Sequence, residues 1–472
     1  MKETGQQQQP LTELIAITPL DGRYHTMTEE LSPFVSEYGL IRTRMDVEAR
    51  YLMALSDIGV VRPLTPPERK KLTSFGEELS LEDAGEVKKI EDEIKHDVKA
   101  MERAFRNMLG GTSLSDVVEK VHIGLTSEDI NNIAYRLMLQ RATSSAVVPR
   151  LEEIVLWLTD QAEENKAIPM LGRTHGQAAV PTTLGKEMAV FAGRLSAEVV
   201  NLKDRKLTGK FSGAVGNFNA LRLTYPEIDW ENFSRKFIKS FGLVPNMTTT
   251  QINSYEDMSA YFQNYLRING ILIDFDQDMW RYISDHWIVQ KPKKGEVGSS
   301  TMPQKVNPIF FENSEGNLGL SNAIFEYFSR KLPVSRLQRD LSDSTVIRNI
   351  GTSLGFSLVA YKNLIVALGR VSPDLETIAK ALDSDWTILA EGVQTLLREA
   401  GVNDPYSLVS DLIRGKHIGK EEWKEWAEGL PIDDGQKVRI KNLTPQTYIG
   451  DSVRITEETV KQIKSTFKPK TK

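Results

Sequence analysis

Hydrophobic residues in the middle of this chain recur every three or four positions over long stretches, which is the spacing of one face of an α-helix. The first stretch covers residues 127–165. Thr126 and Asp129 have the spacing of a capping box at its start, so we expect a helix to begin here. Pro149 lies inside the stretch and is expected to kink the helix.

Further helical runs follow, and the apolar–polar alternation that indicates strands is scarce. We expect these runs at residues 183–207, at 254–290, from about Glu312 onward, and at 342–369. Helices longer than about 25 residues are typical of bundles and coiled coils. The pattern therefore predicts an all-α fold in which about five long helices form a central bundle.

The two ends of the chain have shorter helical patterns and more turn residues than the middle. A chain of 472 residues is too long for one ordinary core, so two or three domains are expected. We predict an N-terminal helical domain at residues 1–123, the long-helix bundle at 124–370, and a C-terminal helical domain at 371–472.

The composition is that of a soluble globular protein, with 26% charged and 40% hydrophobic residues. A net charge of −5 gives no reason to expect nucleic acid as a partner. Without cysteine the chain has no disulfides, thiolate nucleophiles or thiolate metal sites. The start of the chain is polar, and no apolar run approaches the ~18 residues that span a bilayer. We expect a cytoplasmic protein with no membrane or nucleic-acid partner.

Histidine spacing gives no sign of a zinc site, because no HExxH or similarly compact arrangement occurs. His175 has the most suggestive setting, in "LGRTHGQAAVPTT", where hydrogen-bond donors surround it. We expect these donors on a turn that opens the second long helix, which suits an anionic ligand at a helix N-terminus. Thr126 and Ser127 are explained by helix capping, and the same cap could hold a carboxylate. A structural, hydrogen-bonded histidine is the alternative for His175.

Two further segments carry candidate chemistry. In "SRLQRDLSDSTVIRN", Arg339, Ser344 and Arg348 could converge on a phosphate, or could form a solvated helix face. The segment "GEVGSSTMPQKVNP", residues 295–308, combines glycines with hydroxyls and Lys305. It could close over a substrate or simply link two helices. Ser299 or its neighbour could act as a nucleophile or base, although no Gly-x-Ser-x-Gly elbow indicates a hydrolase.

These segments together resemble the fumarase/aspartase superfamily. "GSSTMPQKVNP" matches that superfamily's signature, Gly-Ser-Ser-x-Met-Pro-x-Lys-x-Asn-Pro, at every fixed position, and "TSEDINN" and "GRTHGQ" resemble its other two conserved regions. Within the superfamily the chain most resembles the adenylosuccinate lyase family in its longer bacterial form. The stretches that carry this resemblance, from residue 19 to about Asp451, include "PLDGRY", "HDVKA", "GAVGNFNA", "TTTQI" and "LPVSRLQRDLSDSTVIRN".

The resemblance implies a reaction that needs no metal or organic cofactor. Members cleave adenylosuccinate to AMP and fumarate, and release fumarate from the succinylated aminoimidazole carboxamide ribotide. It also implies that Ser299 is the general base and His175 the general acid. Removing a proton next to a carboxylate forms a doubly charged aci-carboxylate, which needs positive charge and amide donors around it. A serine base requires that loop closure expel water and place Lys305 near its oxygen.

The resemblance assigns the remaining site residues to parts of the substrate. Those expected to hold the succinyl carboxylates are Thr126, Ser127, Thr174, Lys305 and Asn307. Those expected at the nucleotide end, chiefly its phosphate, are Arg23, Tyr24, Arg339, Ser344 and Arg348. Residues expected close to the substrate in supporting or binding roles are Lys95, His96, Asp97, His122 and Gln251.

Three positions depart from the family pattern. Gln304 stands where His or Tyr is more usual, Phe310 replaces an acidic residue, and Ala178 replaces the proline of "GQPA". Gln304 is the one feature that favours argininosuccinate lyase, another fumarate-releasing member, as an alternative. A catalytically silent structural homologue is the other alternative, against which the presence of Ser299, His175 and Lys305 argues.

The first predicted helix has a geometric consequence. A helix from Thr126 to about Asn165 spans about 58 Å, and His175 follows its far end. A nucleotide cannot bridge that length, so groups at both ends reach one substrate only if different chains supply them. We therefore expect active sites shared between subunits, and the resemblance implies a homotetramer.

Overall fold

The computed structural model describes residues 12–292, 295, 301–414 and 418–467, and helices dominate them. The helices are α1 His25–Thr28, α2 Ser32–Val35, α3 Glu37–Asp57, α4 Pro66–Glu77, α5 Leu81–Ile94, α6 Asp97–Gly110, α7 Ser127–Ala142, α8 Val148–Glu164, α9 Leu184–Asp204, α10 Asn219–Thr224, α11 Trp230–Ser240, α12 Glu256–Ser284, α13 Ile309–Lys331, α14 Ser342–Ile347, α15 Ile350–Leu368, α16 Leu375–Asp383, α17 Ala390–Glu399, α18 Pro405–Ile413, α19 Lys420–Glu428, α20 Asp434–Asn442 and α21 Ser452–Phe467. The predicted all-α class is confirmed.

Short strand pairs accompany the helices. The strands are β1 Pro169–Thr174, β2 Gln177–Thr183, β3 Thr208–Gly209, β4 Val244–Pro245, β5 Ile288–Gln290 and β6 Val371–Pro373. β1 pairs with β2 and β5 with β6 in antiparallel fashion, whereas β3 and β4 are parallel. Within the described residues these two-stranded pieces do not join into a larger sheet.

The chain divides into two compact units. The first unit consists of Met1–Arg150, Val200–Gly270 and Gly316–Lys362, and the second of Leu151–Val199, Ile271–Glu315 and Asn363–Lys472. Each of the five predicted long runs begins in one unit and ends in the other. The three-domain division at residues 123/124 and 370/371 stays a prediction.

The first long run begins where the sequence predicts. Thr126 is the N-cap of α7, and the backbone N–H of Thr126 donates to Asp129 Oδ2 at 2.9 Å, as in a capping box. The helical residues continue through a π-helical segment, Thr143–Val147, into α8. This segment ends two residues before Pro149, which has no N–H to donate to the turn that precedes it. The irregularity expected at the proline therefore takes the form of a π-helical segment.

The third long run ends earlier than predicted. α12 stops at Ser284, and His286 adopts a left-handed backbone with φ of 60°. The chain then extends into β5 over Ile288–Gln290, which the sequence pattern had assigned to the helix. A left-handed residue ends a helix because its backbone cannot continue the right-handed spiral.

Aromatic and polar contacts hold the long helices together inside the first unit. Phe325 of α13 stacks on Phe262 and Tyr265 of α12, with ring centroids 5.6 and 4.8 Å apart. The hydroxyl of Tyr361 on α15 donates to Asn269 Oδ1 on α12 at 2.5 Å. Buried polar groups are thus satisfied between helices, which fixes how α12, α13 and α15 pack.

The stretch 342–368, which contains α14 and α15, has the length and composition of a membrane span, with a mean hydropathy of 1.3. However, 72% of its most apolar window is buried inside the protein. Burial of this kind is typical of a core helix, so the stretch is weak evidence for a membrane.

Candidate active site

Two arginines of the first unit share one carboxylate. Nη2 of Arg44 donates to Asp97 Oδ2 at 2.8 Å, and Nη2 of Arg348 contacts the same oxygen. Nη1 of Arg348 lies 3.2 Å from Glu37 Oε2. Partial burial of Asp97 opposes its ionisation, yet Arg44 and Arg348 lower its pKa well below the ordinary range. Arg348 is therefore anchored in a charged, pre-set position.

The same network continues to two other predicted residues. Nε of Arg44 donates to Asn131 Oδ1 at 2.8 Å, and Asn131 in turn donates to Glu128 Oε1 at 2.9 Å. Arg339 lies 3.0 Å from Glu128 Oε1 and donates to Gln251 Oε1 at 3.3 Å. A continuous chain of contacts thus joins Arg348 to Gln251.

Arg339 and Glu128 are the buried end of this network. Burial raises the pKa of Glu128, although the guanidinium of Arg339 acts in the opposite direction. Nε of Arg339 is buried and has no hydrogen-bond partner in the part of the chain that the structure describes. A buried donor without a partner costs free energy, because it has lost its hydrogen bonds to water. A hydrogen-bond acceptor on a bound ligand would therefore be favoured here.

His122 makes an ion pair with a fully buried carboxylate. Its Nδ1 contacts Oε1 of Glu48 on α3, and its side chain is 15% exposed. Burial lowers the pKa of His122, but the neighbouring Glu48 outweighs this and raises it above the ordinary value. Glu48 Oε2 is buried and unpartnered among the described residues. The pair favours a charged imidazole at the site.

The cap that carries Thr126 and Ser127 is tied down by Asp129. Besides the N–H of Thr126, the Asp129 carboxylate accepts the N–H groups of Ser212, at 2.8 Å, and Gly213, at 3.1 Å. Nζ of Lys210 lies 2.8 Å from Asp129 Oδ1, and both side chains are fully buried. This fixes the amino end of α7, where an anion is favoured by the helix dipole.

Other predicted residues of the first unit lie at helix ends. His96 caps α6, because its Nδ1 accepts the N–H of Lys99 at 3.2 Å, and Lys95 is the left-handed C-cap of α5. Tyr24 is the N-cap of α1, directly after the exposed Arg23. Ser344 lies in α14. Two of them adjoin the Arg348–Gln251 network: His96 Nδ1 lies 3.9 Å from Asp97 Oδ1, and Arg348 is the C-cap of the helix that contains Ser344.

His175 lies at the tip of a β-hairpin, not at the turn that opens the second long helix, so that prediction is wrong. Thr174 ends β1 and pairs with Gln177 of β2, and α9 begins only at Leu184. His175 and Gly176 have φ of 53° and 72°. Two successive left-handed residues form a type I′ turn, which matches the twist of paired strands. The short strands were missed because apolar and polar residues do not alternate along them.

The side chain of Arg173, two residues before His175, braces the hairpin. The guanidinium of Arg173 lies 5.1 Å from the ring centre of Trp287 and 3.6 Å from Asp285 Oδ2. Nη1 of Arg173 also donates to the carbonyl of Gly176 at 3.3 Å. These contacts, all within the second unit, hold the turn and leave His175 exposed.

The segment at residues 295–308, which contains Lys305, is only partly described. Ser299 lies outside the described residues, whereas Lys305 is exposed and Asn307 stands just before α13. The backbone N–H of Lys305 donates to Met302 O at 3.1 Å, so the segment turns back on itself here. Phe310, which replaces the expected acidic residue, has the Arg370 guanidinium 4.5 Å from its ring centre. The ring of Phe310 thus makes a cation–π contact with Arg370, at a position where an acidic residue would attract the guanidinium by its charge.

Sequence reasoning missed the residues that join the predicted ones. Arg44, Glu128 and Asn131 form the centre of the network, yet none was a candidate. Glu128 and Asn131 belong to the quoted "TSEDINN" motif, which was the available signal. Arg44 gave no such signal, because the sequence around an arginine on an amphipathic helix does not show which residues it will contact.

Comparison with known proteins agrees with this picture. A family described as "Lyase" matches residues 22–322, and "Adenylosuccinate lyase C-terminal" matches residues 335–449. An adenylosuccinate lyase of Haemophilus influenzae is 42% identical over 452 residues, which cover 95% of this chain and 99% of that protein. One from Dictyostelium discoideum is 43% identical, covering 93% and 97%. The chain belongs to the adenylosuccinate lyase family.

A solved structure of an enzyme with another name has the same fold as this chain. The 3-carboxy-cis,cis-muconate lactonizing enzyme of Pseudomonas putida matches with a TM-score of 0.70 over 92% of this chain and 97% of that one. Its sequence identity is 18%, so this likeness concerns the fold alone.

Proposed function

We propose that this protein is a carbon–nitrogen lyase that cleaves adenylosuccinate to AMP and fumarate. It also releases fumarate from the succinylated aminoimidazole carboxamide ribotide, as a cytoplasmic enzyme of purine nucleotide synthesis. The observation that carries the proposal is the match, over nearly the whole chain, to relatives named adenylosuccinate lyase. The presence of His175, Ser299 and Lys305 in their motifs supports it.

In the proposed mechanism two groups act on opposite sides of the substrate. Ser299 removes a proton from the carbon next to a carboxylate, and His175 gives a proton to the nitrogen as the carbon–nitrogen bond breaks. Each such proton transfer is worth about 10²–10⁴ in rate. The reaction is balanced without a cofactor, because one proton leaves carbon and one reaches nitrogen.

Binding groups divide between the two ends of the substrate. Thr126, Ser127, Thr174, Lys305 and Asn307 hold the succinyl carboxylates, where the N-termini of α7 and α13 favour negative charge. Arg348, fixed by Asp97, and Arg339, fixed by Glu128, bind the phosphate with Arg23, Tyr24 and Ser344. Gln251 contacts the base or succinyl region, charged His122 adds to the positive field with Lys95, and His96 lies close to the substrate in a supporting role.

The complete enzyme is proposed to be a homotetramer with active sites shared between subunits. The helical run from Ser127 to Glu164 separates the α7 cap from the hairpin of His175 along the chain. A straight helix of that length spans about 57 Å, more than a nucleotide can bridge. Groups from both ends of this run therefore meet at one substrate when different subunits supply them.

The test is fumarate release by the purified protein, followed by absorbance. Fumarate should appear from adenylosuccinate and from the succinylated ribotide, and not from argininosuccinate, the alternative that Gln304 favours. His175→Asn removes the imidazole but tolerates the left-handed backbone, and should lower kcat by about 10²–10⁴. His286→Asn is the matched control, since His286 has the similar φ of 60° outside the proposed site. Release from argininosuccinate alone would overturn the proposal.

A further inference from the structure

An open cavity of about 530 Å³ lies in the first unit between α3, α4 and α11. Apolar side chains contribute to its lining: Met53, Ala54, Ile228, Phe233 and Phe237. No residue of the network from Arg348 to Gln251 is among those that line it. Cavities of about 300–1,000 Å³ are typical of small-molecule sites, so this one has the size to hold an aromatic compound.

One wall of the cavity is a packed aromatic cluster. Phe233 and Phe237 stack in parallel at 5.9 Å between ring centroids, and Phe211 lies 4.5 Å from Phe237. Tyr51 meets Phe211 edge-on at 5.0 Å, and Phe241 does the same to Phe237 at 5.1 Å. Interlocked rings of this kind do not rearrange easily, so the wall is formed before any ligand arrives.

The charges around the cavity favour an anion. Three cations line it, Arg50, Arg69 and Lys236, against two carboxylates. Four of these five charges are already engaged, because Asp57 pairs with Arg69, Arg50 pairs with Asp46, and Asp229 accepts the N–H of Asn232 at the start of α11. Lys236 is exposed and has no ion-pair partner within the described part of the chain. An acidic group of a ligand would therefore find an available ammonium group beside an apolar wall.

We propose that this cavity binds a small aromatic acid, with its ring system against Phe233 and Phe237 and its acidic group at Lys236. A bare phosphate would leave the aromatic wall unused, and a neutral hydrocarbon would leave Lys236 unused. The geometry therefore selects a molecule that has both parts. The residues that carry this inference are separate from those proposed for the lyase reaction.

The probe for this site is 8-anilinonaphthalene-1-sulfonate, which joins an aromatic body to one acidic group and fluoresces more strongly in apolar surroundings. Titrated into the full-length folded protein, it should show a saturable fluorescence increase. Lys236→Glu should weaken its binding about tenfold or more, because it places a like charge beside the sulfonate. Ala54→Trp should abolish the saturable phase by filling the cavity.

Lys239→Glu is the matched control, since Lys239 is exposed on the same helix and does not line the cavity. It should leave the binding constant unchanged. Equal weakening by Lys236→Glu and Lys239→Glu would show that only general charge matters and would overturn the proposal. Unchanged binding in Lys236→Glu would also overturn the proposal. This variant changes a surface residue with no packing role, so the test holds whether or not Ala54→Trp folds.

Discussion

At the scale of single residues, the candidate site depends on side chains whose charge is fixed by a buried neighbour. His122 is the clearest example, because the buried carboxylate of Glu48 raises its pKa above the ordinary histidine range. Ion pairs also hold Arg348 beside Asp97 and Arg339 beside Glu128. These partners keep cations in place before a substrate binds, which lowers the cost of binding an anion.

Glu48→Gln should lower stability more in mild acid than in alkali. A pKa raised by folding contributes stability that is fully present below the unfolded value of about 6.5 and is lost as the pH rises through the folded value. The Tm of the wild type should therefore exceed that of Glu48→Gln most at about pH 6, and the difference should shrink by about pH 9.

Glu86→Gln is the control for this pH series. Glu86 is 54% exposed and pairs with Lys89, which does not titrate in that window, so its effect on Tm should stay small and flat. A constant difference between wild type and Glu48→Gln across the series would contradict the proposed charge on His122.

Sequence reasoning found residues that bear distinctive motifs and missed residues that support them. Arg339, Arg348 and Gln251 were predicted, and the structure joins them in one network. The connecting Arg44 could not be predicted, because its role depends on contacts between helices far apart in sequence, whereas Glu128 had a signal in the motif "TSEDINN". Ser299, predicted as the base, lies outside the described residues.

At the scale of elements, the hairpin of β1 and β2 positions His175. Its register shifts between Leu171 and Arg173, so Gly172 sits at an irregularity of the pairing. A Cβ at Gly172 would come within 2.5 Å of the carbonyl oxygen of Val180 on the opposite strand. The hairpin therefore needs glycine here for the strands to approach.

Gly172→Ala should destabilise the protein by about 1–3 kcal/mol and lower kcat, because the strands must separate and move the tip that carries His175. Thermal unfolding and the fumarate assay measure the two effects. Gly85→Ala is the control, since a Cβ there meets nothing within 4 Å in the helix α5. It should raise stability by about 0.5–1 kcal/mol. Equal Tm values for the two variants would contradict this account of the hairpin.

Long helices were the most predictable elements, because their periodicity persists over many turns. The start of α7 was correct since its capping box is a local signal. The end of α12 and the hairpin were not predicted, because both depend on left-handed residues, His286 and His175, that carry no distinctive sequence pattern. Glycine, and to a lesser degree Asn or Asp, signals such a backbone, and Gly176 gave that signal for the hairpin turn, whereas the end of α12 had none.

At the scale of the whole molecule, the five long helical runs each contribute to both compact units. The α7 cap belongs to the first unit and His175 to the second. The length of helix between them underlies the proposal that separate subunits complete each active site. Lyase activity would then require assembly, because one chain lacks part of the site.

Mixing two inactive variants tests this arrangement. Ser299→Ala and His175→Asn should each lack activity, and exchange of subunits between them should restore it, because some sites then receive both intact groups. The fumarate assay after mild dissociation and reassembly measures the recovery. Wild type taken through the same treatment is the control. If the mixture stays as inactive as its parents, the sites are not shared.

Lys95, His122 and His175 all have a left-handed backbone, with φ between 53° and 60°. A side chain in that conformation costs about 1–2 kcal/mol relative to glycine. Glycine at Lys95 or His175 would thus yield a more stable protein that has lost a group proposed for its chemistry, whereas glycine at His122 would also leave the buried carboxylate of Glu48 without its partner. A laboratory selection for thermal stability alone would therefore favour inactive variants. A screen for thermostability must measure lyase activity at the same time.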